Sequence, residues 1–309
     1  MIACVFSGQG AQQPGMGQEL CRSNESARRI YAEAAGLLGI DLLQLTGEQL
    51  ATTRFAQLSI VTLSLAAWEA FRDGCKLESP QAFAGFSLGE YSAIGAAGIL
   101  GLPDLLALVN ERASLMQQAA ETSPGSMFAI LGLDDERLLE IVSQPVYAGK
   151  VFAVNFNCPG QIVIAGLADD SAACADDLKA AGARRVIKLN VNGAFHTPLM
   201  QPAALKLAEF ARKLKFLEPA GSFYSNTSGG RLNAGLDWPE YLASHMCNPV
   251  HWTSEVQTLQ QDGCSAYLEF GPGKVLTGLI RKIVPGCTVF PVEDSITLAD
   301  AVAGAVNYL

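Results

Sequence analysis

The fold is decided by residues 82–97, whose sequence is Ala-Phe-Ala-Gly-Phe-Ser-Leu-Gly-Glu-Tyr-Ser-Ala-Ile-Gly-Ala-Ala. The apolar run Ala82–Phe86 predicts a short buried strand, and Leu88–Ala97 predicts a helix of small residues. Between them lies a G-x-S-x-G motif centred on Ser87, in the strand–turn–helix context typical of a nucleophile elbow. The helix N-terminus beneath such a serine favours developing negative charge. The motif therefore favours Ser87 as a nucleophile over an ordinary serine in a glycine-rich turn.

Short strands and longer helices alternate on both sides of this motif. The run Ile2–Phe6 predicts a buried strand, and Gln57–Phe71 predicts a helix that is apolar on most faces and therefore buried. The other predicted elements of this part are helices Ser26–Leu38, Leu105–Gln118, Trp238–Met246, Thr253–Asp262 and Lys274–Ile283, and strands Phe223–Ser225 and Ala266–Phe270. This alternation predicts an α/β fold with a mostly parallel sheet.

A different pattern begins near Pro124. It consists of strand Ser126–Leu133, helix Asp134–Ser143, strands Val151–Phe156 and Gln161–Gly166, helix Asp169–Ala181 and strand Arg184–Leu189. The order β-α-β-β-α-β is that of the ferredoxin-like split unit. We therefore predict a large α/β domain, residues 1–123 and 193–309, interrupted by a small ferredoxin-like subdomain, residues 124–192.

Composition excludes several classes of protein. The 309 residues are 50% hydrophobic and 17% charged, which excludes intrinsic disorder and allows a large core. The net charge of -9 argues against partners such as nucleic acid or an anionic membrane. No apolar stretch approaches the roughly 20 residues that a membrane span needs. The 8 cysteines form no C-x-x-C pair, and no secretory signal precedes the first strand, so we expect a cytoplasmic protein.

A serine nucleophile needs a base, and the chain has 3 histidines. His196 lies in a loop after a predicted strand, His245 lies within a predicted helix, and His251 lies just before the next helix. All of them follow Ser87 in the chain, so order does not choose among them. No Asp or Glu stands out as a third triad member, and we therefore expect a neutral acceptor to orient the histidine.

We predict neither a metal nor a cofactor. His245, Cys247 and His251 lie close together, but a second pair of ligands is missing for a structural zinc. Gly8-Gln-Gly10 is followed by Gln13 where a dinucleotide fingerprint needs glycine, and Gly271–Lys274 lacks the spacing of a phosphate-binding loop.

Arg112 is the most informative charge. It lies on the helix after the elbow, between Val109 and Leu115, where an apolar residue would pack more simply. One interpretation is a surface arginine with its head in water. The other is a guanidinium fork that grips a substrate carboxylate. The residues alone leave the two balanced.

Seven motifs in order resemble the malonyl-CoA:acyl-carrier-protein transacylases. They are Phe6-Ser-Gly-Gln-Gly-Ala-Gln12, Gly85-Phe-Ser-Leu-Gly-Glu-Tyr-Ser92, Arg112-Ala-Ser-Leu-Met-Gln117, Asn155-Phe-Asn-Cys-Pro-Gly-Gln161, Ala194-Phe-His196, Asn248-Pro-Val-His-Trp252 and Phe270-Gly-Pro-Gly273. The resemblance runs along essentially the whole chain. It implies an α/β-hydrolase-like large domain with a ferredoxin-like insertion.

The resemblance also implies roles for residues of the site. Ser87 falls on the nucleophile of the family and His196 on its base. Arg112 falls on the arginine that pairs with the malonyl carboxylate. Gln9 and Leu88 fall on the positions whose backbone N–H groups form the oxyanion hole, and His251 on a position that supplies an acceptor for the catalytic histidine. Two residues depart from the fatty-acid enzymes, since His is usual at Phe86, and Gln or Arg is common at His251.

The implied activity is transfer of a malonyl group from malonyl-CoA, through a malonyl-serine, to the phosphopantetheine thiol of acyl carrier protein. It would feed fatty-acid or polyketide synthesis, and we expect a monomer. Leu88 and Phe195 resemble the residues of malonyl-specific enzymes at these positions. Phe86 instead resembles the residue found in free-standing acyltransferases of polyketide assembly lines. The alternatives are a transacylase or hydrolase of different acyl specificity in a trans-acyltransferase polyketide pathway, and a non-catalytic docking subunit. Two basic clusters are either carrier-protein contacts or solvated helix ends. One consists of Arg184, Arg185 and Lys188, and the other of Arg281 and Lys282.

Overall fold

The computed structural model describes residues 1–76, 81–191 and 193–308. Its strands, numbered along the chain, are β1 Ile2–Phe6, β2 Ala82–Gly85, β3 Gly125–Leu131, β4 Val151–Cys158, β5 Gln161–Leu167, β6 Arg185–Lys188, β7 Ser222–Ser225, β8 Gly230–Arg231, β9 Ala266–Phe270 and β10 Thr288–Val292. The helices are α1 Gln18–Ser23, α2 Glu25–Leu38, α3 Gly47–Leu50, α4 Thr53–Cys75, α5 Leu88–Ala96, α6 Leu102–Thr122, α7 Asp135–Val142, α8 Ala168–Ala180, α9 Gln201–Ala211, α10 Trp238–Cys247, α11 Trp252–Gln261, α12 Val275–Ile283 and α13 Ser295–Ala305.

The chain divides into two compact units. The first comprises residues 1–113, 214–236 and 255–309, and the second comprises 114–213 and 237–254. The second unit is therefore wider than the predicted subdomain of residues 124–192, although its four strands lie inside that range.

The first unit is built on a six-stranded sheet in the order β10-β9-β1-β2-β7-β8. The first five strands run parallel, and β8 is antiparallel to β7. The central strand β1 is buried along its whole length, as the continuous apolar run Ile2–Phe6 predicts. Helix α4 is buried over most of its 23 residues, which confirms the predicted buried helix and extends it at both ends. The mixed α/β sheet confirms the predicted fold class at this level.

The carboxyl ends of β1, β2 and β7 carry the chemically important turns of the first unit. Because neighbouring parallel strands end at the same edge of a sheet, the residues that follow them lie close together. Ser7 follows β1, Phe86 follows β2 and Asn226 follows β7. This edge is where ligands bind in open α/β sheets.

The second unit contains a four-stranded antiparallel sheet in the order β4-β5-β3-β6. Helices α7 and α8 cover one face, where Ile130, Leu138, Ile164 and Leu178 belong to one buried cluster. Met127, Val154 and Ala165 belong to a separate buried cluster. The order of elements β3-α7-β4-β5-α8-β6 is the predicted one, with bounds that shift by up to two residues.

Several elements were absent from the sequence prediction, among them α9, β10 and α13. The 8 cysteines all lie in the described residues and all are free. Within those residues, no helix combines the length and the apolar character that crossing a membrane requires.

Candidate active site

Ser87 occupies a strained backbone conformation at the start of α5. Its φ is 52° and its ψ is −105°, outside the regions that L-residues normally adopt. Two backbone hydrogen bonds hold the turn around it: the Phe86 N–H donates to the Phe6 carbonyl at 3.0 Å, and the Gly89 N–H donates to the Phe86 carbonyl at 2.9 Å. Strain of this kind persists only where the surrounding structure fixes it, and it clusters at functional sites.

Two glycines permit the close approach of β1 and the elbow. A Cβ on Gly89 would lie 1.9 Å from the Phe6 carbonyl oxygen, and a Cβ on Gly8 would lie 2.6 Å from the Phe86 carbonyl oxygen. The backbone that leads into Gln9 therefore packs directly on the backbone that leads into Ser87. Leu88 is the first residue of α5, where a helical N–H has no intrahelical acceptor. The predicted oxyanion-hole residues Gln9 and Leu88 thus belong to adjacent segments.

Arg112 is 1% exposed, so the interpretation as a surface arginine is wrong. Its Nη1 donates a 2.7 Å hydrogen bond to Oε1 of Gln57, and the guanidinium carbon lies 4.8 Å from the centre of the Tyr91 ring. Burial lowers the pKa of Arg112, and nearby Tyr91 and Glu90 oppose that effect. Within the described part of the chain, Nε of Arg112 has no hydrogen-bond partner. A buried guanidinium with an unused donor is suited to bind an anionic group.

Gln57 connects Arg112 to the loop after β1. Its Nε2 donates to Oε1 of Gln9 at 3.3 Å, while its Oε1 accepts from Arg112. Gln57 is fully buried on α4. Three residues that are far apart in the chain are therefore joined through side chains, and sequence analysis assigned no role to the one in the middle.

His196 lies in the second unit, with φ at 59°. Its Nδ1 lies 3.1 Å from the carbonyl oxygen of His245 and 3.2 Å from that of Asn248. Because carbonyl oxygens only accept hydrogen bonds, Nδ1 must carry the proton, and Nε2 of the neutral ring is then the basic nitrogen. Two neutral backbone carbonyls therefore orient the His196 ring, and its role as the base stays a prediction.

His251 also lies in the second unit, where its ring stacks on Phe156 with the ring centres 5.0 Å apart. Burial lowers the pKa of His251, which favours the neutral ring. His245 is buried on α10 and meets the His196 ring edge to face at 5.5 Å. The acceptor role of His251 stays a prediction.

Residues 3–291 match the family described as acyl transferase domain. The malonyl CoA-acyl carrier protein transacylase of Escherichia coli (strain K12) is 37% identical over 305 residues, covering 97% of this chain and 98% of the relative. That of Bacillus subtilis (strain 168) is 36% identical over 306 residues, covering 97% and 96%. This chain belongs to the acyl transferase domain family. The acyltransferase matches malonyl CoA-acyl carrier protein transacylases over nearly its whole length, which confirms the resemblance seen in the sequence.

Solved structures of similar proteins agree with this membership. A malonyl-transacylase in complex with a type II PKS acyl-carrier protein has a TM-score of 0.93 to the acyltransferase at 36% identity, covering 98% of this chain and 99% of that chain. The crystal structure of the enzyme from Streptococcus pneumoniae has a TM-score of 0.92 at 34% identity, covering 98% and 100%.

Sequence analysis missed two buried acids of the acyltransferase near the elbow. Glu90 and Glu255 are 1% and 0% exposed. Burial raises the pKa of Glu255 well above its ordinary value, and the charge of Glu90 raises it further. Glu90 directly follows the G-x-S-x-G motif and is the one charged residue of the otherwise mostly apolar helix α5, which was an available signal. The sequence around Glu255 carries no comparable signal.

The predicted basic clusters are exposed. Arg184, Arg185 and Lys188 lie at or beside β6, and Arg281 and Lys282 lie in the last turn of α12. Among the described residues, no group of three or more His, Cys, Asp and Glu side chains is placed to hold a metal ion.

Proposed function

We propose that this acyltransferase moves a malonyl group from malonyl-CoA, through a malonyl-Ser87 intermediate, to the phosphopantetheine thiol of acyl carrier protein, for fatty-acid or polyketide synthesis. The observation that carries the proposal is the buried Arg112, with an unused donor, in the same unit as the strained Ser87. The names of the relatives support the same substrates.

In the first half-reaction, Nε2 of His196 accepts the Ser87 hydroxyl proton as Oγ attacks the thioester carbonyl of malonyl-CoA. The N–H groups of Gln9 and Leu88 stabilise the tetrahedral oxyanion, an effect of about 3 kcal/mol per donor. The C–S bond then breaks, the coenzyme A thiolate takes the proton from His196, and malonyl-Ser87 remains. The tautomer set by the two backbone carbonyls supports this role of His196.

In the second half-reaction, His196 takes the proton of the phosphopantetheine thiol, and the sulfur attacks the malonyl-Ser87 ester. The same oxyanion hole stabilises the second tetrahedral intermediate. The ester C–O bond breaks, Ser87 regains its proton from His196, and malonyl-carrier protein leaves. Two acyl transfers through one serine give ping-pong kinetics.

Arg112 selects the acyl group by charge. The guanidinium fork pairs with the free malonyl carboxylate, whereas an acetyl group leaves this buried cation without an anionic partner. A site built to bind a polar group rejects an analogue that lacks the group, because the buried donors stay unpaired.

We also propose a more detailed description of the fold, the oligomeric state and the cellular location of the protein. Residues 1–123 and 193–309 would form an α/β-hydrolase-like large domain, and residues 124–192 would form a ferredoxin-like subdomain. The antiparallel strand order β4-β5-β3-β6 supports the latter. The protein would act as a cytoplasmic monomer, and its 8 free cysteines fit a reducing compartment.

Mass spectrometry after incubation with malonyl-CoA tests the proposal. We expect a long-lived malonyl adduct on Ser87 that disappears when carrier protein is added, and no adduct on the Ser87→Ala variant. Rapid release of free malonate without transfer would contradict the proposal and favour the hydrolase.

The second candidate function is acyl transfer of different specificity in a trans-acyltransferase polyketide pathway. Phe86, which makes the turn before Ser87 more apolar than a histidine would, favours this candidate. Competition among malonyl-, methylmalonyl- and acetyl-CoA, followed by transfer to fatty-acid and polyketide carrier proteins, separates the two. A preference for methylmalonyl or acetyl groups would select the second candidate.

A further inference from the structure

Asn226 is a fully buried residue at the carboxyl end of β7, next to the elbow that follows β2. Its Oδ1 accepts a 2.7 Å hydrogen bond from the Ser87 N–H, and its Nδ2 donates a 2.6 Å hydrogen bond to the Gly85 carbonyl. One side-chain amide therefore bonds to both sides of Phe86. The β2–β7 pairing ends at Phe83 and Phe223, so this amide continues the connection between the strands where their own ladder has stopped.

The orientation of the amide is fixed by its remaining partners. Nδ2 also donates a 2.7 Å hydrogen bond to Oε2 of Glu255, and the backbone N–H of Asn226 donates to Oε2 of Glu90 at 2.8 Å. Rotating the amide by 180° would place its oxygen against two acceptors and its N–H groups against the Ser87 N–H. Such a rotation would leave buried polar groups unpaired, which is unfavourable in a low-dielectric core.

These contacts bear on the strained conformation of Ser87. With its N–H bonded to Asn226, the Ser87 backbone is held at φ 52° and ψ −105°, and its amide is committed to a side chain of the core. A residue held in a sparsely populated conformation needs surroundings that fix it. Phe6 holds the elbow from the β1 side, and Asn226 holds it from the β7 side.

We propose that Asn226 is a positioning residue for the nucleophile, and that Glu255 keeps its amide in the orientation that holds the Ser87 N–H and the Gly85 carbonyl. Asn226 acts through the backbone of Ser87 and need not touch the acyl group. The inference rests on the proposed function only in that Ser87 is the nucleophile.

The first test compares Asn226→Ala with a matched control, Thr258→Ala. Thr258 is on the same helix as Glu255, and its Oγ1 donates a 2.9 Å hydrogen bond to the Gly229 carbonyl, in the turn after β7 rather than in the elbow. The readout is the rate at which a serine-directed fluorophosphonate probe labels Ser87. A displacement of a nucleophile by about 1 Å lowers reactivity by about 10²-fold, and we expect a loss of that size for Asn226→Ala only.

Binding separates positioning from a general structural role. The affinity for malonyl-CoA is measured on a Ser87→Ala background, with and without Asn226→Ala. We expect equal affinities, so that the loss appears in the acylation rate and not in binding. Equal labelling rates for Asn226→Ala and Thr258→Ala, or a parallel loss of malonyl-CoA affinity, would overturn the proposal.

The second test exchanges donor and acceptor across the 2.7 Å contact between Asn226 and Glu255. It decides whether Asn226 positions Ser87 if Asn226→Ala does not fold. Asn226→Asp replaces the Nδ2 donor with a carboxylate oxygen that faces the Gly85 carbonyl, so labelling should be slow. Adding Glu255→Gln supplies an amide donor to that carboxylate, and the double variant should label faster than Asn226→Asp alone. A double variant no faster than the single one would reject the coupling.

The probe needs neither a malonyl group nor carrier protein. If the wild-type enzyme labels at Ser87 but does not transfer malonyl, the proposed function fails and the inference about Asn226 still stands. If labelling is insensitive to Asn226 while malonyl transfer proceeds, only the inference fails.

Discussion

Nη1 of Arg112 lies 2.7 Å from Oε1 of Gln57, and both side chains are buried. Gln57 therefore fixes the plane of the guanidinium group before any acyl group arrives. Since Gln57 also bonds to Gln9, the cation that we propose for the carboxylate and the loop that we propose for the oxyanion hydrogen-bond to the same side chain. A preorganised fork loses less entropy when it binds an anion, and this favours a selective site.

Arg112→Ala should lose malonyl transfer far more than acetyl transfer. Charge-assisted hydrogen bonds contribute about 3 kcal/mol at the upper end, which corresponds to roughly 10²-fold in kcat/KM for malonyl-CoA. The measurement is kcat/KM for both thioesters with one carrier protein. Arg112→Lys keeps the charge but not the fork, so its kcat/KM for malonyl-CoA should lie between those of the wild type and Arg112→Ala. Equal losses on malonyl and acetyl would count against the carboxylate role.

Gln57→Glu should lower the preference for malonyl over acetyl while leaving Arg112 in place. A carboxylate at position 57 pairs with the guanidinium internally and competes with the substrate carboxylate. We expect KM for malonyl-CoA to rise by about tenfold, the effect of roughly 1.4 kcal/mol, with little change for acetyl-CoA. Gln57→Leu, which removes the bond without adding a charge, is the control. An unchanged malonyl-to-acetyl ratio in the glutamate variant would reject this account.

Glu255→Gln should change how stability depends on pH. Because the pKa of Glu255 is raised above its ordinary value of 4.5, the folded protein keeps a proton that the unfolded chain releases above that pH. The contribution of Glu255 to wild-type stability therefore falls as pH rises from 4.5 toward its folded-state pKa. The glutamine variant lacks this loss, so its advantage over wild type should grow by up to about 1.4 kcal/mol per pH unit.

Urea unfolding at several pH values between 5 and 8, roughly the range in which native proteins are most stable, gives the required free energies. Glu240→Gln, at an exposed carboxyl on α10, provides the control and should follow the wild-type curve. A constant difference between Glu255→Gln and wild type across this range would show that Glu255 does not titrate as described.

Gly89→Ala should disrupt the first unit. Its Cβ would overlap the Phe6 carbonyl oxygen, which belongs to the central strand and moves only with the sheet. A clash of this kind should lower the free energy of unfolding by an exceptional amount, about 4 kcal/mol or more. In Gly36→Ala the new methyl group has nothing within 4 Å, and an alanine at this exposed position of α2 should stabilise by about 0.5–1 kcal/mol. The melting temperatures of the two variants should therefore move in opposite directions.

The strands that set the fold were predictable because their sequences are continuous apolar runs between turns. The predicted bounds of β1 and β9 match the structure. Strand β10 was missed because Pro291 stands inside it, and proline argues against a central strand. The structure resolves this conflict by placing β10 at the edge of the sheet.

The site was predictable only where its residues carry a local pattern. The elbow around Ser87 has one, whereas Asn226 lies 139 residues away from Ser87 and meets it only through the pairing of β2 and β7. Whether Arg112 is buried likewise depends on the packing around its helix, which one sequence does not contain. Glu255 was overlooked for the same reason, since a single glutamate in an amphipathic helix usually faces water.

Among the described residues, Ser87 and His196 are two of the three non-glycine positions with positive φ. A glycine would adopt either backbone conformation more easily than the residue that is there. Stability and the proposed activity therefore oppose each other at these two positions, and we expect the same fold with glycine in place of the proposed nucleophile and base to be the more stable protein. Under the proposed function, acyl transfer requires a serine and a histidine at positions where the backbone alone prefers glycine.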